Sequence, residues 1–155
     1  VLFTEYIKDM PDVRTQLIMR EHFKLCVNSQ HPLAKEDTVT LEQIKDEPLI
    51  ISKRSAAPFY YDRIMKMFTQ NGLQPNIHQE VDQMSDIFRM INIGIGVGIL
   101  SFSGDSYYKN MDLHFIDIDG VRNKTHDKVL AWCDGYISST ASRLIKSLAA
   151  HGKFE

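Results

Sequence analysis

Two short polar loops carry the residue types that could bind a small molecule. The first, Ser52-Lys53-Arg54-Ser55, follows a short apolar strand and precedes a helix, so two hydroxyls and two cations meet the free N–H groups and positive dipole end of a helix start. That chemistry suits a carboxylate or another small anion. In the alternative interpretation, Ser55 only caps the helix, and Lys53 and Arg54 are merely solvated.

The second loop, residues 82–85, has the same position in the next strand–helix unit. In open parallel sheets, ligands bind beyond the carboxyl ends of the strands, where consecutive loops of this kind meet. The two loops together therefore predict one binding site at a sheet edge.

Other chemistry-bearing residues favour ordinary structural roles. Gly94, Gly96 and Gly98 lie where a helix ends and a strand begins, whereas a dinucleotide-binding loop leads from a strand into a helix, so they indicate a tight turn with close backbone packing. The six histidines and the two cysteines, Cys26 and Cys133, lack metal-ligand spacing, and there is no Gly-x-Ser-x-Gly elbow. The sequence predicts no metal, no cofactor and no catalytic residues. An enzyme stays open as an alternative because 20 carboxylates offer many acid–base pairs.

Composition and charge narrow the function classes. The 155 residues are 43% hydrophobic and 25% charged, as in an ordinary globular domain. Eighteen Lys and Arg against 20 Asp and Glu, without a basic cluster, disfavour direct binding of DNA or RNA. The longest apolar run, 93–100, is too short for a membrane span, and the first residues do not form a signal peptide. Two cysteines are typical of a reducing cytoplasm.

An α/β scaffold must position the two loops. The apolar patterns predict strands over 13–19, 23–27, 48–52, 76–81, 97–102, 113–118 and 128–133. A capping box at Thr40 and Gln43 predicts a short helix to Asp46. Strands that alternate with helices predict parallel sheets with helices on both faces.

Three longer helices are predicted from apolar stripes. The first stripe is Tyr61, Ile64, Met65 and Phe68, the second is Ile87, Met90 and Ile91, and the third is Ala141, Leu144, Ile145 and Leu148. Gly94 is expected to end the second helix, and Ser138 to cap the third.

The order and spacing of several segments resemble one protein family. The matching segments are His31-Pro32-Leu33-Ala34, 41–48, the strand 49–51, the helix that ends at Gly72, 79–81, the glycine-rich stretch 91–100, and a tail with Trp132 and Ser138 before an amphipathic helix. Together they resemble the effector-binding domain of LysR-type transcriptional regulators, over nearly the whole chain.

The resemblance implies a two-lobed α/β domain similar to type II periplasmic binding proteins, with a small molecule in the cleft. Residues 1–29 and 124–155 would form the first lobe, and 30–123 the second. The first lobe is expected to be incomplete, because the strand–helix–strand that opens it in the family is missing before Val1. Combined with the loop chemistry, the cleft position predicts a set of ligand-binding residues: Thr4, Ser52, Arg54, Ser55, Met84, Ser85 and Phe102.

The implied function is sensing of a small molecule, with an organic anion as the expected effector, in a cytoplasmic regulator without catalysis. The resemblance also implies a homodimer or tetramer through contacts between first and second lobes, and DNA binding only through a helix-turn-helix domain that this chain lacks. The second-lobe contact would use the outer face of the helix 58–70 and the strand 76–81, with Tyr60, Met67 and Ile77, unless these residues complete the lobe's own core. The alternatives are a transport-type solute-binding protein and an enzyme on the same fold.

Overall fold

The computed structural model describes residues 2–5, 10–102, 110–121, 125–133, 135 and 137–151. Within these ranges the chain forms strands, α-helices and one 3-10 turn, Pro32–Lys35. The strands are β1 Leu2–Glu5, β2 Val13–Asn28, β3 Thr38–Val39, β4 Leu49–Ser52, β5 Ile77–Val81, β6 Gly98–Phe102, β7 Leu113–Ile118 and β8 Thr125–Cys133. The helices are α1 Leu41–Ile44, α2 Pro58–Thr69, α3 Met84–Asn92 and α4 Ser139–His151. No described helix is long and apolar enough to cross a membrane.

The strands form one large and one small sheet. The large sheet has the order β1-β8-β2-β7-β3, and β6 also pairs with β2. Its β1–β8, β8–β2 and β2–β7 pairs are antiparallel, and only its short β3–β7 pair is described as parallel. The small sheet pairs β4 with β5 in parallel. The prediction of parallel sheets is right for the small sheet and wrong for most of the large one, because β7 and β8 return beside β2 from far along the chain.

Strand β2 is a single strand of 16 residues, which corrects the prediction of two strands. The polar residues Arg20 and His22 look like a break in the sequence, but they pair with Asp127 and Thr125 of β8. The Arg20 guanidinium donates hydrogen bonds of 2.9 and 3.0 Å to the two carboxylate oxygens of Asp127. The strand therefore continues because a distant partner satisfies its polar side.

The chain divides into two compact units, Val1–His22 with Lys124–Glu155, and Phe23–Asn123. In the second unit, one apolar core joins the strands to α1, α2 and α3, and its fully buried members include Leu25, Ile50, Phe68, Ile87 and Ile99. In the first unit, the described buried side chains are Val129, Leu130, Ala131 and Ile145.

The predicted signals at the ends of three helices are confirmed. The N–H of Gln43 donates to the Thr40 hydroxyl while the Gln43 side chain accepts from the Thr40 N–H, although α1 ends at Ile44 and not at residue 46. At the end of α3, the N–H groups of Gly94 and Ile95 donate to carbonyls one turn back, with Gly94 at φ +78°. The Ser138 hydroxyl accepts from the Ala141 N–H at 3.2 Å and so caps α4.

The buried stripe of helix α2 shares Ile64 and Phe68 with the predicted one and differs at its other two positions. Its buried side chains are Tyr60, Ile64, Met67 and Phe68, and Tyr61 and Met65 are only half-buried. Tyr60 and Met67 therefore do not lie on an outer face; they complete the core of their own unit. The Tyr60 hydroxyl donates a 2.6 Å hydrogen bond to the Ile99 carbonyl, which fixes the rotation of α2 against β6. Ile77 is half-buried, and Leu144, predicted to be buried on α4, is half-exposed.

Candidate functional site

The parallel pairing of β4 and β5 brings the two polar loops to one edge. Ser52 is paired with Val81, so the next residues, Lys53 and Asp82, start the two loops side by side. The Lys53 N–H donates to the Val81 carbonyl at 2.7 Å, and the Lys53 ammonium lies 2.7 Å from the Asp82 carboxylate. The second unit therefore carries both predicted loops at the carboxyl ends of adjacent strands.

Both helices that follow this edge begin without a side-chain cap. The N-cap residue is Ala57 for α2 and Gln83 for α3, and neither side chain accepts a hydrogen bond from its helix. The alternative in which Ser55 caps α2 is therefore wrong. Because the first N–H groups of a helix have no partner inside it, the start of α3 offers the N–H groups of Met84 and Ser85 as donors. Pro58 has no N–H at the start of α2, but both starts have a positive dipole end.

Ser52 ends β4 and is buried, with 3% of its surface exposed. Its hydroxyl has no hydrogen-bond partner in the part of the chain that the structure describes. An unpaired buried hydroxyl costs about 1–3 kcal/mol, so native proteins rarely retain one without a reason. Ser52 therefore lies at the edge with a donor and an acceptor to offer.

The two cations of the first loop already have carboxylate partners. Arg54 is exposed and donates from Nε and Nη2 to the two carboxylate oxygens of Asp62, at 2.7 and 2.9 Å. This hydrogen-bonded pair raises the pKa of Arg54 and lowers the pKa of Asp62. Asp62 was not among the predicted residues; the available signal was a carboxylate one turn into the helix that follows the basic loop.

The remaining predicted residues occupy several elements. Ser55 is exposed in the loop before α2, and Met84 and Ser85 are the first two residues of α3. Ser52, Arg54, Ser55, Met84 and Ser85 therefore all belong to the ends of β4 and β5 or to the segments that follow them. The side chains of Thr4 and Phe102 lie outside the described part of the structure.

Two cavities in the second unit lie elsewhere. One of about 540 Å³ is lined by Asn28, Gln30, His31, Asn92, Ile93 and Asp112, among others. Another of about 330 Å³ is lined by residues that include Thr40, Glu42, Leu73 and Asp119. Neither lining contains a residue predicted to bind the ligand. Among the described residues, no group of three or more His, Cys, Asp or Glu could hold a metal ion.

Comparison with known proteins gives consistent matches. The family model for the LysR substrate binding domain matches residues 1–153. Among curated relatives, the transcriptional regulator TtuA of Agrobacterium vitis is 37% identical over 70 residues, which are 45% of this chain and 23% of TtuA. AlsR of Bacillus subtilis is 27% identical over 122 residues, 79% of this chain and 38% of AlsR. The chain thus spans well under half the length of both regulators.

Solved structures share the fold. The regulatory domain of CcmR from Synechocystis, solved in complex with 2-PG, superposes with a TM-score of 0.81 at 18% identity, over 97% of this chain and 72% of that one. The effector-binding domain of QuiR, solved in complex with shikimate, superposes with a TM-score of 0.74 at 21% identity, over 96% of this chain and 69% of that one. The predicted fold class, an α/β domain of the type II periplasmic-binding-protein kind, is confirmed. The family match over residues 1–153 and these superpositions together place the chain in the LysR substrate-binding domain family.

Proposed function

We propose that this effector-binding domain senses a small organic anion at the edge where β4 and β5 end. The observation that carries the proposal is the buried Ser52 hydroxyl, which has no partner among the described residues, at an edge followed by two helix starts without a side-chain cap. A carboxylate would accept from the hydroxyl and from the first N–H groups of α3, and the two helix dipoles favour its charge.

The residues proposed to contact the ligand are Ser52, Arg54, Ser55, Met84 and Ser85, with Thr4 and Phe102 as further lining suggested by the family resemblance. The relatives support this class of ligand by analogy. QuiR was solved with shikimate, which carries a carboxylate, and CcmR with 2-PG.

The complete protein is proposed to be a bacterial cytoplasmic regulator that binds DNA through a separate helix-turn-helix domain and works as a homodimer or tetramer. Residues 1–29 with 124–155, and 30–123, are proposed as its two regulatory lobes, and the contact between lobes of different subunits is proposed without Tyr60 and Met67, which are buried in their own unit. We propose no catalysis, because the curated relatives are transcriptional regulators and the edge offers binding groups without a selected acid–base pair. Neither a transporter nor an enzyme is favoured by a specific observation.

The test is a ligand screen by thermal shift and calorimetry with small carboxylates, shikimate included, and neutral amides of matched shape. A carboxylate should stabilise the protein and its amide should not. Arg54→Ala should weaken binding about ten- to a hundredfold, because a charge-assisted hydrogen bond is lost. The matched control is Arg89→Ala, which removes an exposed arginine that pairs with Asp86 on α3. Equal binding of the amide, or no effect of Arg54→Ala, would contradict the proposal.

A further inference from the structure

We propose that Asp82 is an internal counter-ion: it holds Lys53 in the ligand-free protein and gives it up when an anion binds, and so limits the anion affinity of the edge. This inference rests on the proposed function, because it concerns the same edge. It adds one residue with a negative effect on binding, which no loop pattern in the sequence indicates.

The backbone fixes this pair. Parallel pairing of Ser52 with Val81 makes Lys53 and Asp82 the first residues beyond the two strands, and the Lys53 N–H is held by the Val81 carbonyl. From there, the Lys53 ammonium reaches the Asp82 carboxylate at 2.7 Å. The contact therefore connects the loops that lead into α2 and α3, in front of both helix starts.

The pair can separate without unfolding. The Lys53 side chain is 44% exposed and that of Asp82 is 69% exposed, so water solvates both groups once they part. Exposed ion pairs of this kind contribute little to stability. By contrast, Arg54 is held by two parallel hydrogen bonds to Asp62, a geometry that fixes a guanidinium more firmly than a single contact fixes an ammonium. Lys53 is therefore the cation that a ligand can recruit more easily.

Charge at the edge is balanced while the pairs persist. Lys53 and Arg54 supply two positive charges, and Asp82 and Asp62 supply two negative charges. An incoming anion meets repulsion from Asp82 near α3 until the carboxylate turns away from Lys53. Removal of the Asp82 charge should therefore release Lys53 and strengthen anion binding, and it should do so by more than the loss of another negative charge near α3, which releases no cation of this edge.

Asp86 provides the matched control. It is also a carboxylate at the start of α3, and its partner is Arg89, at 3.1 Å, and not Lys53. Replacement of Asp86 by Asn removes the same charge four residues further on, in the first turn of α3, so it reports the general electrostatic effect. Asp82→Glu retains the charge and reports whether the carboxylate itself is required.

The experiment titrates inorganic phosphate and shikimate at low ionic strength into the original chain and its variants, by calorimetry and NMR chemical shifts. Asp82→Asn should bind phosphate at least fivefold more tightly than the original chain, Asp86→Asn should stay within twofold, and Asp82→Glu should resemble the original. Addition of Lys53→Met to Asp82→Asn should abolish the gain. Circular dichroism checks that each variant is folded.

The inference is overturned if Asp82→Asn binds phosphate no tighter than Asp86→Asn, or if the gain survives Lys53→Met. Its failure differs from failure of the proposed function. If the original chain binds a carboxylate tightly but Asp82→Asn shows no gain in affinity, only the counter-ion role is contradicted. If Asp82→Asn gains phosphate affinity through Lys53, but the protein binds each carboxylate and its amide equally, only the proposed effector class is contradicted.

Discussion

At the scale of single residues, the Ser52 hydroxyl has no partner among the described residues, so we expect it to contribute little to stability. Ser52→Ala removes a buried polar group without a described partner, so the free energy of unfolding should stay within about 1 kcal/mol or rise. The control is Thr40→Ala, which deletes a hydroxyl that caps α1 and should lower the free energy of unfolding by about 1 kcal/mol. Urea denaturation measures both changes. A loss above about 2 kcal/mol for Ser52→Ala would mean that the hydroxyl has a structural partner.

Gly96 is required because there is no room for a Cβ at its position, whereas Gly94 is required because its φ is positive. A Cβ at Gly96 would lie 2.2 Å from the Pro48 carbonyl oxygen, a backbone atom that cannot move aside cheaply. Gly96→Ala should therefore destabilise the fold by about 1–3 kcal/mol or more. Gly94 has open space around its Cβ position and φ +78°, so Gly94→Asn should cost less. Thermal unfolding compares the two, and an equal loss would contradict the steric explanation.

Cys26 and Cys133 should differ in reactivity. Burial raises the pKa of the Cys26 thiol from 9.0 to about 12, whereas Cys133 is exposed. Iodoacetamide at pH 8 should modify Cys133 and leave Cys26 unmodified until the protein unfolds, as read by peptide mass spectrometry. The neutral thiol stabilises the fold fully below pH 9, and this contribution is lost as pH rises from about 9 towards 12. Rapid modification of native Cys26 would contradict this burial.

The sequence could predict part of the edge but not its ion pairs. Ser52 ends β4 and Asp82 directly follows β5, and the geometry of parallel strands brings such ends together, so their common edge was predictable. The pairing of Arg54 with Asp62 depends on how the 53–57 loop folds back on α2. That path is determined by hydrogen bonds from Ala56 and Ala57 to the Lys53 carbonyl, which leave no pattern in residue type.

At the scale of elements, a buried hydroxyl links α2 to β6 within their shared apolar core. Tyr60→Phe removes the hydrogen bond to the Ile99 carbonyl and leaves that acceptor buried, so it should lower the free energy of unfolding by about 1–3 kcal/mol. The control is Tyr61→Phe, because Tyr61 is the next residue of the same helix and its side chain is half-buried. This change should alter the free energy of unfolding by less than about 0.5 kcal/mol. Chemical denaturation of both variants measures the difference. Equal effects would mean that the Tyr60 hydroxyl does not fix the helix.

Element boundaries were predictable where local chemistry decides them. The capping box at Thr40, the helix end at Gly94 and the cap at Ser138 depend only on residues within one turn, and all three form. The continuity of β2 and the buried stripe of α2 depend on distant partners, β8 and Ile99. Local periodicity does not contain the partner, so β2 was predicted as two strands, and the predicted α2 stripe was right at Ile64 and Phe68 but not at Tyr61 and Met65.

At the scale of the whole molecule, the two units should differ in local stability. The apolar core cluster lies within the second unit, whereas the described core of the first is much smaller. Hydrogen exchange at pH 7 should therefore show slower exchange for amides of β4 and α2 than for those of β8 and α4. Equal protection in both units would mean that they unfold as one cooperative body.

Pairing of β2 with β8 joins residues more than 100 positions apart, from Val13 with Cys133 to His22 with Thr125. On a translating ribosome, the second unit is contiguous and can close once residue 123 has emerged, but the first half of β2 still waits for its β8 partner. At about 5–20 residues per second, that wait lasts seconds, and during it an unpaired strand edge is open to other nascent chains. We therefore expect slower translation of the C-terminal segment to lower the yield of folded protein without changing the stability of the finished fold.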